Sequence, residues 1–296
     1  MPLQWNRDAL LANPVFASLW PVLACCWSDR FPDTDCLSKL ARSRGVASGG
    51  GAAVRFVPAG DDVLRQFGLE YEACIYREGL VPTRPDNFHD LFNALAWIVF
   101  PKTKAMLNRL HYREMTVKGV QALEGSSGTA RKDFGSRGTA RRESGSRGTA
   151  RDVLTLFDES GVIVVCSEPE LARLLREFQW QSLFWARRSE VSRAMRFFVF
   201  GHAIQEKALR PYKGLTAKAL VMEVSQAFFG MPLDAQLAEA DERAAHHFSS
   251  PEALASTWTF APLPILGVPG WAPENDCASF YEDTSVFRPG RSRRGA

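Results

Sequence analysis

His89, Asp90 and Asn93 lie within five consecutive residues, and His202 and Glu206 stand four apart, both groups set in strongly apolar segments. Imidazoles and carboxylates brought together support two kinds of chemistry. As hard-to-intermediate ligands they hold Zn, Mn or Fe, and a water on the metal is then the nucleophile of a hydrolysis. Without a metal, a histidine oriented by a carboxylate works as a general base. The i, i+4 spacing of His202 and Glu206 lets the carboxylate orient the imidazole or lets both face a common ion. The candidate catalytic residues are therefore His89, Asp90, His202 and Glu206. The same four are the candidate ligands of a divalent metal, and Asn93 is a positioning group. Arg84, ahead of one helix, and Lys102 and Lys104, at the start of the next, could hold a phosphate.

Two helices must position these groups. Asp86 or Asn87 caps a helix over Phe88 to Phe100, in which Phe88, Leu91, Phe92, Leu95, Ile98 and Val99 form an apolar stripe at i, i+3, i+4 spacing. His89, Asn93, Ala96, Trp97 and Phe100 form a second stripe. A helix apolar on both faces is a buried one, and its polar groups need partners. Periodicity predicts the second helix over Ser189 to Leu209, with Val191, Met195, Phe198, His202 and Leu209 along one face. Gly201, unfavourable inside a helix, points to close approach of another backbone or a ligand beside His202. Familiar catalytic templates are missing. No histidine precedes His89 to complete a His-Asp phosphohydrolase set, His202 to Glu206 reads HAIQE rather than a zinc-protease helix, and there is no Walker loop, G-x-G-x-x-G or G-x-S-x-G. Asp158-Glu159 reads as turn chemistry, and His246-His247 as the C-terminal end of a charged helix.

The 296 residues are 46% hydrophobic and 23% charged, which excludes a disordered, collagenous or disulfide-scaffold protein. Six cysteines without a C-x-x-C spacing read as buried or half-buried free thiols in a reducing compartment. The apolar run from Ala9 to Trp27 is not an export signal: Asp8 cancels Arg7, Pro14 and Pro21 interrupt it, and the small-residue cleavage pattern is missing. No stretch is long enough to span a membrane, and a cytoplasmic location is expected.

From Gly125 the chain reads GSSGTARKDF, GSRGTARRES, GSRGTARD, a tandem decapeptide repeat with neither apolar period nor bulk to pack, and is expected to be disordered. Seven basic residues against two acidic ones give 125–151 a charge of +5, leaving −2 on the rest of a chain whose total is +3. The folded part therefore lacks a nucleic-acid binder's charge. The arm is either a polyanion-binding segment or a repeat expansion tolerated in a surface loop. Val153 to Val165, with turn residues at Asp158 to Gly161, predicts a β-hairpin. A short strand is expected at Arg55 to Pro58 behind a flexible Gly49 to Gly51. Helices are expected at Phe16–Ser28, Leu37–Arg44, Pro101–His111, Pro169–Phe178, Thr216–Phe229 and Asp234–His247, with an extended wrap over Pro262 to Pro289.

The strings NFHDLFNALAWIVFPKTKAMLN, FGHAIQEKALRPYKGLTAKAL, LPILGVPGW and FYEDTSVFRP resemble the bacterial proteins grouped as the domain-of-unknown-function family numbered 3025. The resemblance covers most of the chain outside the repeats and implies a single bacterial domain built around these helices, with no activity, substrate or cofactor attached. The decapeptide repeats depart from the family pattern. The expected architecture is a predominantly helical α+β domain formed by 1–124 and 152–290 with a small antiparallel hairpin. It is interrupted by a disordered insert at 125–151 and followed by a frayed basic tail at 291–296. Two functional readings stand: a metal-assisted hydrolase using the His/Asp/His/Glu set, or a non-catalytic binding or assembly protein whose polar network specifies helix packing.

Overall fold

The structure, a computed structural model, describes residues 3–60, 70–126 and 145–290, with the side chains of 118–126 and 145–148 excepted. Most of the repeat insert and the basic tail lie outside the described residues. In chain order the helices are α1 (Arg7–Ala12), α2 (Trp20–Leu23), α3 (Thr34–Ser43), α4 (Tyr71–Glu78), α5 (Phe88–Val99), α6 (Pro101–Ser126), α7 (Gly145–Ser160), α8 (Pro169–Arg176), α9 (Arg188–Ala194), α10 (His202–Lys207) and α11 (Leu233–Ser249). The strands are β1 (Arg55–Pro58), β2 (Leu80–Thr83), β3 (Gly161–Cys166), β4 (Met195–Val199), β5 (Thr216–Glu223) and β6 (Ala261–Pro264). This is a predominantly helical α+β fold.

The larger sheet has four strands in the order β4-β3-β5-β6. Its two central strands are parallel, Gly161 opposite Lys218 through Cys166 opposite Glu223, and each has an antiparallel edge partner. All six residues of β3 are buried, so GVIVVC is apolar on both faces as a central parallel strand must be. β1 and β2 form a separate parallel pair, in register from Arg55–Leu80 to Pro58–Thr83.

Three expectations from periodicity fail for the same reason. The hairpin over Val153 to Val165 is instead the last turns of α7 running straight into β3: Ala150, Val153, Leu154 and Phe157 are a buried helical stripe, and the four β-branched or apolar residues after Gly161 are the strand. The helix expected over Ser189 to Leu209 breaks into α9, β4 and α10. Thr216 to Phe229 is β5 followed by a 3-10 turn at Gln226–Gly230. Short apolar runs buried on both sides carry no helix-versus-strand information in their period, and pairing across the sheet decides them. The insert is also shorter than expected at its C-terminal end, because Arg151 already belongs to α7.

Two further corrections bear on packing. Gly49, expected to be flexible, is buried and fixed: its N–H donates to Asn108 Oδ1 (3.1 Å), its carbonyl accepts from Arg109 Nε (3.0 Å), and a Cβ there would lie 2.6 Å from the Ala105 carbonyl oxygen. The C-terminal segment is not only a surface wrap, since β6 closes the sheet edge and Phe260, Leu263, Ile265 and Phe287 are buried. All six cysteines are free, with Cys25 and Cys277 exposed rather than buried. Among the described residues, no helix is long and apolar enough to cross a membrane.

Candidate metal centre

An aromatic cluster sets the positions of the polar groups. Phe157 packs on Phe200 (centroids 5.0 Å apart), Phe248 (4.9 Å) and Phe260 (5.2 Å), and Phe100 meets Phe200 edge-on at 5.5 Å. Phe157 is followed at once by Asp158 and Glu159 at the end of α7, and Phe200 by Gly201 and His202 at the start of α10. Burying two phenylalanines thus delivers two acids and a histidine to one place. The join is tight, because the carbonyl of Gly161 accepts from the N–H groups of Phe200 (3.0 Å) and Gly201 (2.8 Å). A Cβ on Gly201 would sit 2.5 Å from the Gly161 nitrogen and 2.6 Å from the Glu159 carbonyl oxygen. Gly201 is therefore a close-approach residue, as expected, although it precedes a helix instead of lying inside one. A Gly201→Ala substitution is expected to cost roughly 1–3 kcal/mol through forced backbone displacement, seen as a lower denaturant midpoint at unchanged slope.

The third element is α5. Asn87, not Asp86, is its N-cap, accepting from the Asp90 N–H at 3.0 Å. Eight of its residues from Leu91 to Val99 are buried, which leaves the N-terminal turn to present His89. The His89 ring meets the His202 ring edge-on with centroids 4.5 Å apart. His202 Nε2 lies 3.5 Å from Glu159 Oε1, and one ligand atom from each of His89, Glu159 and His202 falls within 4.8 Å of the others. Glu206 takes His89 Nδ1 at 2.9 Å, which leaves Nε2 as the other ring nitrogen of His89. The His202 side chain is only 6% exposed, and its Nδ1 is buried without a hydrogen-bond partner, 4.0 Å from Asp158 Oδ2.

Charge is arranged around this cluster in a graded way. A hydrogen bond with His202 holds the Glu159 carboxyl below its ordinary pKa, against the opposing effect of burial. Burial also works against ionisation of Asp158, but the Lys104 ammonium and the His202 imidazole together hold its carboxyl below the ordinary value. Lys104, itself 5% exposed, contacts Asp158 Oδ1 at 2.7 Å and Asn93 Oδ1 at 2.9 Å. Asn93 in turn donates to the Tyr71 hydroxyl at 3.1 Å. These groups line a cavity of about 500 Å³ that extends past Glu72, Asn108 and His111 to Arg151.

The residues singled out in the sequence divide into three sets. His89, His202 and Glu206 meet, with Glu206 behind His89. Asp90 faces elsewhere: it takes the Arg84 guanidinium at 2.9 and 2.8 Å and the Arg84 N–H at 2.7 Å. Burial opposes the Asp90 charge, yet Arg84 holds the carboxyl below its ordinary value, so the pair is a closed unit at the cavity edge. Lys102 points to α11, its Nζ 2.8 Å from Glu242, while Asp241 caps the N–H groups of Lys102 and Thr103. Glu159 and Asp158 were missed because the stretch read as a hairpin turn. The buried stripe Ala150, Val153, Leu154 and Phe157 was the available signal that they end a helix.

The model of the family described as a protein of unknown function, DUF3025, matches residues 54–291. The chain belongs to the DUF3025 family. No curated protein and no solved structure is significantly similar to this DUF3025 chain. Every polar group described above, from Tyr71 to Glu242, falls inside the DUF3025 match, and so do all of the decapeptide repeats.

Proposed function

We propose that His89, His202 and Glu159 bind a divalent metal ion and that the protein is a metal-assisted hydrolase. The observation that carries this reading is the convergence of two imidazoles and a carboxylate from three different elements on a cavity, one of them with a buried, unpartnered ring nitrogen. Buried polar atoms are otherwise almost always paired. Two histidines and one carboxylate suit Zn, Fe or Mn and leave coordination positions for water. Glu206 behind His89 supplies the outer carboxylate that fixes a ligating imidazole's orientation.

The metal would polarise its water and lower the water's pKa towards about 7, as zinc does. An ion held by His89, His202 and Glu159 would in this way support hydrolysis of an ester, amide or phosphoester, the water's oxygen going to the carbonyl carbon or phosphorus and its proton to the departing alcohol or amine. Asp158, paired with Lys104, stands with Oδ2 4.0 Å from His202 Nδ1. The non-catalytic reading draws on a different observation: Arg84–Asp90 and Lys104–Asp158–Asn93 are mutually satisfied, as in a network that only specifies packing.

Elemental mass spectrometry of untagged protein, purified without chelator and supplied with Zn, Mn or Fe(II), tests the reading. Stoichiometric metal is expected, followed by turnover of a member of a phosphoester, ester and amide panel that chelation abolishes. Protein that takes up no metal would overturn it in favour of the packing network.

A further inference from the structure

We infer that the cavity takes an elongated substrate whose carboxylate or phosphate group is held by Arg151, roughly 10 Å from the scissile bond at the metal. This rests on the metal-centre reading and adds the substrate class. The cavity is walled by two helices that run antiparallel. Lys104, early in α6, pairs with Asp158, late in α7, at the metal end. Towards the other end stand Arg151, early in α7, and His111, later in α6, both of which line the cavity.

Along α7 the cavity-lining residues Arg151, Thr155 and Asp158 follow i, i+4, i+7, a single helical face. At 1.5 Å per residue, seven residues separate Arg151 from Asp158 by about 10 Å. The cavity of about 500 Å³ is large enough for a ligand of that length.

Charge selects what such a ligand carries at its far end. The other fixed cations of the wall are committed: Arg84 to Asp90, Lys104 to Asp158. Arg151 has no hydrogen-bond or ion-pair partner among the described residues, so its guanidinium is available for bidentate recognition of an oxyanion. Burial works against a charge on His111, which lines the same cavity, although Glu72 and Asp158 oppose it.

Cobalt(II)-loaded protein provides the test, since its visible absorption reports ligands at the metal. Hexanoate, glutarate, suberate and sebacate are titrated against it, with an ω-phosphonocarboxylate of matched length. Suberate and sebacate are expected to bind roughly tenfold more tightly than hexanoate, equivalent to about 1.4 kcal/mol, and comparison of the better of them with the ω-phosphonocarboxylate tells carboxylate from phosphate. Arg151→Gln should erase that advantage and leave the cobalt spectrum unchanged, while Arg151→Lys should keep part of it. Equal binding of mono- and dianions, or an advantage that survives Arg151→Gln, overturns the assignment of Arg151 and leaves the metal centre standing. Failure of cobalt to bind overturns both.

Discussion

His202→Ala is expected to weaken divalent-metal binding by two orders of magnitude or more, reducing bound metal in purified protein from stoichiometric to background. Three protein ligands are the minimum by which open zinc sites are held, and His202 is the most deeply buried of the three here. Its removal also takes away the hydrogen bond that keeps Glu159 ionised, so a second ligand is weakened by the same change. Glu206→Gln supplies the graded comparison. It touches the ion only through His89, and loss of such an outer carboxylate typically costs about 10- to 100-fold in affinity. Titration calorimetry with zinc on the two variants and the parent should rank them parent, Glu206→Gln, His202→Ala. If His202→Ala binds zinc like the parent, the three-ligand site is wrong.

Lys104→Ala is expected to destabilise the protein by about 3–5 kcal/mol, the range for breaking one side of a buried ion pair. Lys104 is 5% exposed and Asp158 21% exposed, so water reaching Asp158 from the cavity replaces the missing ammonium only in part. Asn93 Oδ1 loses its donor at the same time. The double variant Lys104→Met, Asp158→Leu should recover much of the loss, since the cost lies in the stranded carboxylate. A pH series gives an independent sign. The Asp158 carboxyl is held below its ordinary value in the parent, so its contribution is present above the unfolded pKa of about 3.9 and is lost as pH falls through the lower folded value. In Lys104→Ala burial prevails and the stranded acid gains from protonation. The stability gap between parent and variant should therefore narrow on acidification, and a gap that is constant with pH would exclude the ion pair as its source. Chemical denaturation at several pH values measures both.

Some of this was determined by the sequence alone. α5 was legible on both faces and to within one residue of its cap, Asp86 or Asn87, because twelve residues with a clear 3.6 period follow an Asx pair. The pairing of a histidine from α5 with His202 and Glu206 was anticipated from polar groups stranded in apolar helices, which must find each other or water. Gly201 was recognisable as a close approach for the same local reason: nothing else favours glycine there.

What only the tertiary structure decided is where apolar runs change from helix to strand. Val153 to Val165 contains a strand buried at every position, and the strands within Ser189 to Leu209 and Thr216 to Phe229 are buried or half-buried except at the ends of β5, which blurs the periodicity by which a helix and a strand are told apart. Pairing of β3 with β4 and β5 settles it through backbone hydrogen bonds between residues far apart in the chain. That pairing places Gly161 against Gly201, and with it Glu159 beside His202. The third candidate ligand was thus hidden in the sequence, and the ion-pair partners of Asp90 and Lys104 were decided with it. A carboxylate's role depends on which cation reaches it in space, and adjacency along the chain does not report that.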